Sequence, residues 1–233
     1  MKKNAMLKIA AILMVAVLLT TCAISSTFAK YTSEASDSAD ARVAKWGVTA
    51  NMNIDSLFGT SYANGNKLVT SSGTTNVMAP GTYDEITLST QISGTPEVSL
   101  NITYTADLDL QGWGTYCPLV FKVGTNTFAM DASLTGEDDI NTTAKLEAAV
   151  EAAIVAFSVE NVAPNQNLND QADIFISWEW AFDSTDNVND AADTLLGNNA
   201  AGLNGGTAAT VELTVGVVIE QTGSAASAPA VNG

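Results

Sequence analysis

Apolar and polar positions along the chain change period several times. Residues 9–19 form an apolar run behind Lys2, Lys3 and Lys8, followed by polar residues and then Thr27-Phe28-Ala29. A positive head, a short apolar middle and a small-X-small exit predict a secretory signal peptide over 1–29, cleaved between Ala29 and Lys30. The run is shorter than the roughly 20 residues of a membrane span. Residues 30–45 are polar and rich in Ser, Asp and Ala, and Ala44 to Ile54 alternates loosely, as a half-buried strand does. Residues 56–76 read as a loop rich in Gly, Ser, Asn and Thr. Pro80-Gly81 is a turn signal, because proline presets one backbone angle and glycine accepts a positive φ.

Beyond that turn, Ile86, Leu88 and Ile92 share a face of one strand. Val98, Leu100, Ile102 and Tyr104 then repeat at period two. The short break at Gly94-Thr95-Pro96 predicts that these two strands are antiparallel neighbours. Leu119 to Val123 is a further strand, with a hairpin arm at Thr127 to Met130 after a Gly124-Thr125-Asn126 turn. The period then lengthens to that of a helix near 141–157, with Asn141 or Thr142 as its cap and Leu146, Val150, Ala153 and Phe157 as its apolar stripe. In 172–182, Ile174, Ile176, Trp178, Trp180 and Phe182 line one face, which reads as core. Residues 183–209 read as an acidic Asn- and Gly-rich loop, 209–220 as the last strand and 221–233 as a disordered tail. The expected fold is mainly β, a jelly-roll-like antiparallel β-sandwich over 49–220 with one inserted α-helix.

Composition narrows the chemistry. The 233 residues carry 9 basic and 25 acidic side chains, a net charge of −16. Removing the signal leaves six basic residues against 25 acidic, a net of −19. A basic nucleic-acid footprint is absent, so no nucleic-acid partner is expected. No histidine occurs. That removes Ser-His-Asp catalysis and the His-Glu-x-x-His zinc site. Carboxylate-pair catalysis stays open, with no pair singled out among 25 acidic residues, and the chain is not expected to be an enzyme. Cys22 lies in the signal, and Leu19-Thr20-Thr21 before it fits lipoprotein processing poorly. Only Cys117 remains in the mature chain, as a buried thiol or an intermolecular disulfide.

The stretch ISSTFAKYTSEASDSADARVAKWGV, residues 24–48, resembles the TasA/camelysin-like family of secreted Gram-positive proteins with the specialised-signal-peptidase type of signal. The shared features are Phe28 and Tyr31 around the cleavage point, the polar run 32–40, and Val43 to Val48 ending near glycine. The Ala79-Pro80-Gly81 turn is similar to that family's Leu-x-Pro-Gly turn. Trp178, Trp180 and Phe182, with Asn189, Asp190, Asp193, Thr194, Leu196 and Gly197, resemble a late motif of clostridial secreted proteins; Ala181 stands where many have proline. The resemblance implies a secreted structural subunit of an extracellular or cell-surface fibre of the biofilm-matrix type. Its partners would be other copies of itself, the signal peptidase and an anchoring or accessory matrix protein. It implies that residues 30–48 donate a strand to the next copy, with Ala39, Ala41 and Val43 pointing into the acceptor. The camelysin-like protease activity is not carried over, because its histidine ligands are missing.

Two further readings stay open. Asp183, Asp186, Asp190 and Asp193 crowd eleven residues and are candidate calcium ligands, although their spacing departs from the EF-hand pattern. No other cofactor is expected. A monomeric surface adhesin or carbohydrate-binding module is the alternative function, and it requires some of Trp113, Tyr116, Trp178 and Trp180 at the surface. No LPxTG-like motif is present, so wall attachment by that route is not expected.

Overall fold

Period-two alternation resolves into two antiparallel sheets around one core. The computed structural model describes residues 14, 42–62, 69–70, 73–88, 92–170, 174–182, 189–203 and 205–222. The chain divides between Val43 and Ala44. Before the division only Met14, Arg42 and Val43 are described, so the expected signal peptide, its Ala29–Lys30 junction, Ala39 and Ala41 lie outside the described residues. The expected tail does too, beyond Thr222.

The strands are β1 (Thr49–Ala50), β2 (Ser61–Tyr62), β3 (Val69–Thr70), β4 (Tyr83–Thr87), β5 (Ile92–Ser93), β6 (Leu100–Gln111), β7 (Leu119–Val123), β8 (Asn126–Ala129), β9 (Val159–Val162), β10 (Phe175–Trp180) and β11 (Thr210–Gln221). The helices are α1 (Thr143–Val155) and α2 (Asp190–Ala200). One sheet has the order β4-β10-β7-β8 and the other β11-β6-β9, while β1-β5 and β2-β3 form small pairs. Among the described residues every pairing is antiparallel. The protein is thus a mainly-β antiparallel sandwich carrying helices.

Burial follows the alternation. On β6, Leu100, Ile102, Tyr104, Leu108 and Leu110 are buried while Thr103, Thr105, Asp107 and Asp109 are exposed. On β10, Ile176, Trp178 and Trp180 are buried. Trp178 is the largest fully buried side chain; its indole N–H donates to Leu57 O at 2.7 Å, and the Phe58 and Tyr62 rings stand 5.6 and 5.5 Å away. Such pairing satisfies the one polar atom of a buried indole. The Pro80-Gly81 turn is closed by Thr82 N–H donating to Ala79 O at 3.1 Å, with Gly81 at φ 88°.

Several expectations change. The strand pair expected around Gly94–Pro96 is not a hairpin: β4 bonds to β10, and β6 to β11 and β9. The stretch between them crosses from one sheet to the other, which local alternation does not reveal. Phe182 is 52% exposed, because β10 stops at Trp180 and alternation ends with it. The stripe of α1 is Leu146, Val150 and Ile154, and Thr142 is its cap, accepting from Lys145 N at 3.3 Å. Part of the expected 183–209 loop is helix α2. Residues 45–50 are mostly exposed, yet they are bonded to their own chain. Lys45 N donates to Glu97 Oε2 at 2.9 Å, Glu97 N donates to Lys45 O at 2.8 Å, and Thr49–Ala50 pair with Ile92–Ser93. Gly94, at φ 133°, is what admits this approach, since a Cβ there would run into Gly47 O. The proposed donor segment therefore shortens at its C-terminal end, because Lys45 to Val48 are engaged within their own chain.

Candidate strand-accepting edge

The two edges of the β11-β6-β9 sheet are treated differently. β9 covers only the start of β6, with Leu100 opposite Val162 and Ile102 opposite Val159. Past that point side chains replace the missing strand. Tyr104 N donates to Ser158 Oγ at 3.0 Å, Leu108 N to Glu151 Oε1 at 2.9 Å, and Leu110 N to Glu147 Oε1 at 2.8 Å. The match is geometric. Residues four apart on a helix are separated by about 6 Å along its axis, and alternate N–H groups on one strand edge by about 6.8 Å. Two half-buried glutamates one turn apart thus reach two successive edge donors.

The other edge belongs to β11. Because the even-numbered N–H groups of β6 at 104, 108 and 110 point away from β11, its odd-numbered groups point towards it. The register pairs those odd residues with even residues of β11: Asp109 with Glu212, Asp107 with Thr214, Thr105 with Gly216. The outward backbone groups of β11 are therefore those of Val211, Leu213, Val215, Val217 and Ile219. Among the described residues no strand pairs with them. This is a twelve-residue edge with a continuous apolar inner face, longer than β4, β8 or β9. Edges of this kind are templates for another strand.

A groove of about 700 Å³ lies beside the first half of this edge. Five consecutive residues, Ala209 to Leu213, form one wall, as expected where a strand presents its edge and not one face. Ile54, Phe58, Val77 and Met78 also line it, as do Leu196, Gly197 and Ala200 of α2. Trp113 and Trp180 contribute buried rings whose centroids are 5.6 Å apart. Asp55 and Glu212 are its charged lining residues, both acidic. No known family, characterised protein or solved structure matches the chain.

The residues singled out from sequence fall into three groups. Asp183 and Asp186 lie outside the described residues, and Asp190 is exposed in the first turn of α2. Asp193 is half-buried; its Oδ1 accepts from Tyr116 OH at 2.8 Å and from Trp180 Nε1 at 3.2 Å. That carboxylate fastens α2 to the sheet. Among the described residues no group of three acidic or cysteine side chains is placed to hold a metal ion. Burial, and then the hydrogen bond to Asp193 and its negative charge, push the Tyr116 phenol well above its usual range. Trp113, Trp178 and Trp180 are buried and Tyr116 is half-buried, so none is an open stacking platform for a sugar ring. Cys117 is a free, buried thiol whose pKa is pushed up to about 11, chiefly by burial. Val43 is 92% exposed. No helix among the described residues is long and apolar enough to cross a membrane. The edge of β11 and its guarded counterpart on β6 were not among the sequence-derived candidates. The only trace of the guard in sequence is the Glu147/Glu151 spacing beside an apolar helical stripe.

Proposed function

We propose that this protein is a secreted structural subunit that builds an extracellular or cell-surface fibre by strand addition, as the resemblance to TasA/camelysin-like proteins implies. The supporting observation is the combination of one long, apolar edge on β11, unpaired among the described residues, with one edge on β6 that is closed by side chains. A long apolar edge on one sheet, larger than the short β4 and β8 edges of the other, gives a strand from a second copy a preferred place to add. The donor is the N-terminal segment of another copy, released by cleavage after Ala29 and running from Lys30 to Val43. Backbone hydrogen bonds to Val211, Leu213, Val215, Val217 and Ile219 supply affinity, and alternate side chains supply fit. The fourteen donor residues reach about 46–50 Å when extended, against about 37 Å for the β11 edge. The role is structural, with no catalytic step.

Electron microscopy of the protein beginning at Lys30, beside one beginning at Ala44, tests this. Regular filaments from the first and none from a folded second are expected. Monomers from both, across salt and protein concentration, would refute the fibre reading.

A further inference from the structure

The groove beside β11 is far larger than the side chains so far assigned to fill it. Ala39 and Ala41 carry a single methyl each, and Val43 only an isopropyl group. A cavity of about 700 Å³ lined by Trp113, Trp180, Phe58 and Met78 is of the size that seats a bulky ring and its neighbours. Within the donor segment, KYTSEASDSADARV, Tyr31 carries the only ring. It is preceded by Lys30, which after cleavage would bear an α-amino group as well as its side-chain ammonium. The groove has acidic residues, Asp55 and Glu212, in its lining and no basic ones. Length also agrees. For a donor that runs parallel to β11 with Val43 near Gln221, twelve residues of extended chain cover about 40 Å and bring Tyr31 to the Ala209–Leu213 end of the strand.

We propose that this groove receives the Tyr31 side chain of a neighbouring copy, with the positive charges of Lys30 facing Asp55 and Glu212, so that an aromatic anchor keys the interface. The inference rests on the strand-addition reading and adds the residue that sets its register. A ring seated here fixes the position of every later donor residue, because a slip of one residue would turn its alternating side chains to the wrong face. The hydroxyl of Tyr31 suits the polar rim at Asn76 and Glu212, while the ring meets the apolar walls.

Two sets of variants test it. In the first, Tyr31→Ala raises the protein concentration needed for filament growth at least about tenfold, as loss of a buried aromatic anchor does, while Tyr31→Phe grows close to wild type. In the second, a Tyr31→Cys protein is mixed with an Asn76→Cys protein under mild oxidation; Cys117, being buried, is left in place. Disulfide-linked pairs of the two variants are expected. Filaments of wild type together with unimpaired growth of Tyr31→Ala and no cross-link would overturn the anchor and leave the fibre reading standing. A cross-link that forms only within one molecule of the doubly substituted protein would assign the groove to the chain's own segment and overturn the proposal. Absence of wild-type filaments would overturn both readings.

Discussion

Replacing Glu147 and Glu151 together by alanine should unfasten the β6 edge, and the size of the effect follows from the contacts they make. Each glutamate accepts one backbone N–H, from Leu110 at 2.8 Å and from Leu108 at 2.9 Å. A hydrogen bond to a charged acceptor contributes about 1.5–3 kcal/mol net. Both glutamates are half-buried and water can reach the vacated donors, so the lower end applies, or about 3 kcal/mol for the pair. Glu147 and Glu151 are also like charges one turn apart, and removing both relieves about 0.2–0.5 kcal/mol of repulsion. The expected loss is about 2.5 kcal/mol, which in a domain of this size lowers the melting temperature by about 5–10 °C.

The companion variant Glu147→Gln with Glu151→Gln keeps a carbonyl acceptor in each place and should recover much of that loss. The assay is thermal unfolding followed by circular dichroism, with light scattering recorded in parallel. The alanine pair should also associate at concentrations where wild type beginning at Ala44 does not, because Leu108 and Leu110 then offer unpaired backbone donors. A melting temperature within 1–2 °C of wild type and unchanged scattering would refute the idea that these carboxylates stand in for a strand.

Other consequences are simpler. Cys117 should resist thiol reagents in the folded protein at pH 8 and react on unfolding, as an Ellman titration would read; rapid native labelling would contradict its burial. Its folded pKa of about 11 lies above the unfolded value of about 8.5. Its contribution to stability is therefore complete below about pH 8.5 and lost as the pH rises through about 11. Asp193→Ala should cost about 1–3 kcal/mol and raise hydrogen exchange across α2, since it strips an acceptor from both Tyr116 and Trp180. Thr142→Ala should cost about 1 kcal/mol through loss of the α1 cap, measured by urea unfolding. Gly124→Ala should destabilise more than an ordinary turn substitution, because Gly124 sits at φ 59° and a Cβ there would stand 2.9 Å from the Phe157 ring.

What could be read from the chain was what depends on neighbours in sequence. Alternation placed β7, β10, β11 and the first half of β6, but not its continuation through Gln111, and alanine-rich helical spacing placed α1, because each buries one face of its own pattern. What could not be read depends on partners remote in sequence. Nothing near Ile86 or Leu100 shows that their strands belong to different sheets. α2 was missed because Gly197, Asn198 and Asn199 are poor helix formers. It is held by the single buried Leu196 and by Asp193 reaching Tyr116, 77 residues away. Its one local signal was the pair Asp190 and Asp193, acidic residues in a first helical turn, which the chain equally presents as a metal-binding pattern. The open edge of β11 was invisible for a stronger reason: a paired strand and an unpaired one have the same alternation.

An open apolar edge raises the question of why two copies should not pair β11 against β11. The sequence of the strand answers it. In antiparallel self-pairing only registers joining residues of equal parity keep both apolar inner faces together. The two such registers nearest full overlap are centred on Val215 and Gly216. Centring on Gly216 sets Glu212 of one copy directly opposite Glu220 of the other, and does so twice by symmetry. Centring on Val215 makes the same residues diagonal neighbours, about 7–8 Å apart. Like charges so placed oppose pairing, and each copy without residues 1–29 carries a net charge of −19. Screening at physiological ionic strength acts over about 8 Å, comparable to the diagonal spacing, and so weakens this repulsion without removing it. A donor in which Lys30 and Arg42 offset two of the three acidic residues Glu34, Asp37 and Asp40 meets less of that opposition than a second β11, which has no basic residue, does. The same two glutamates that leave the edge unpaired between identical strands thus favour a strand of different sequence.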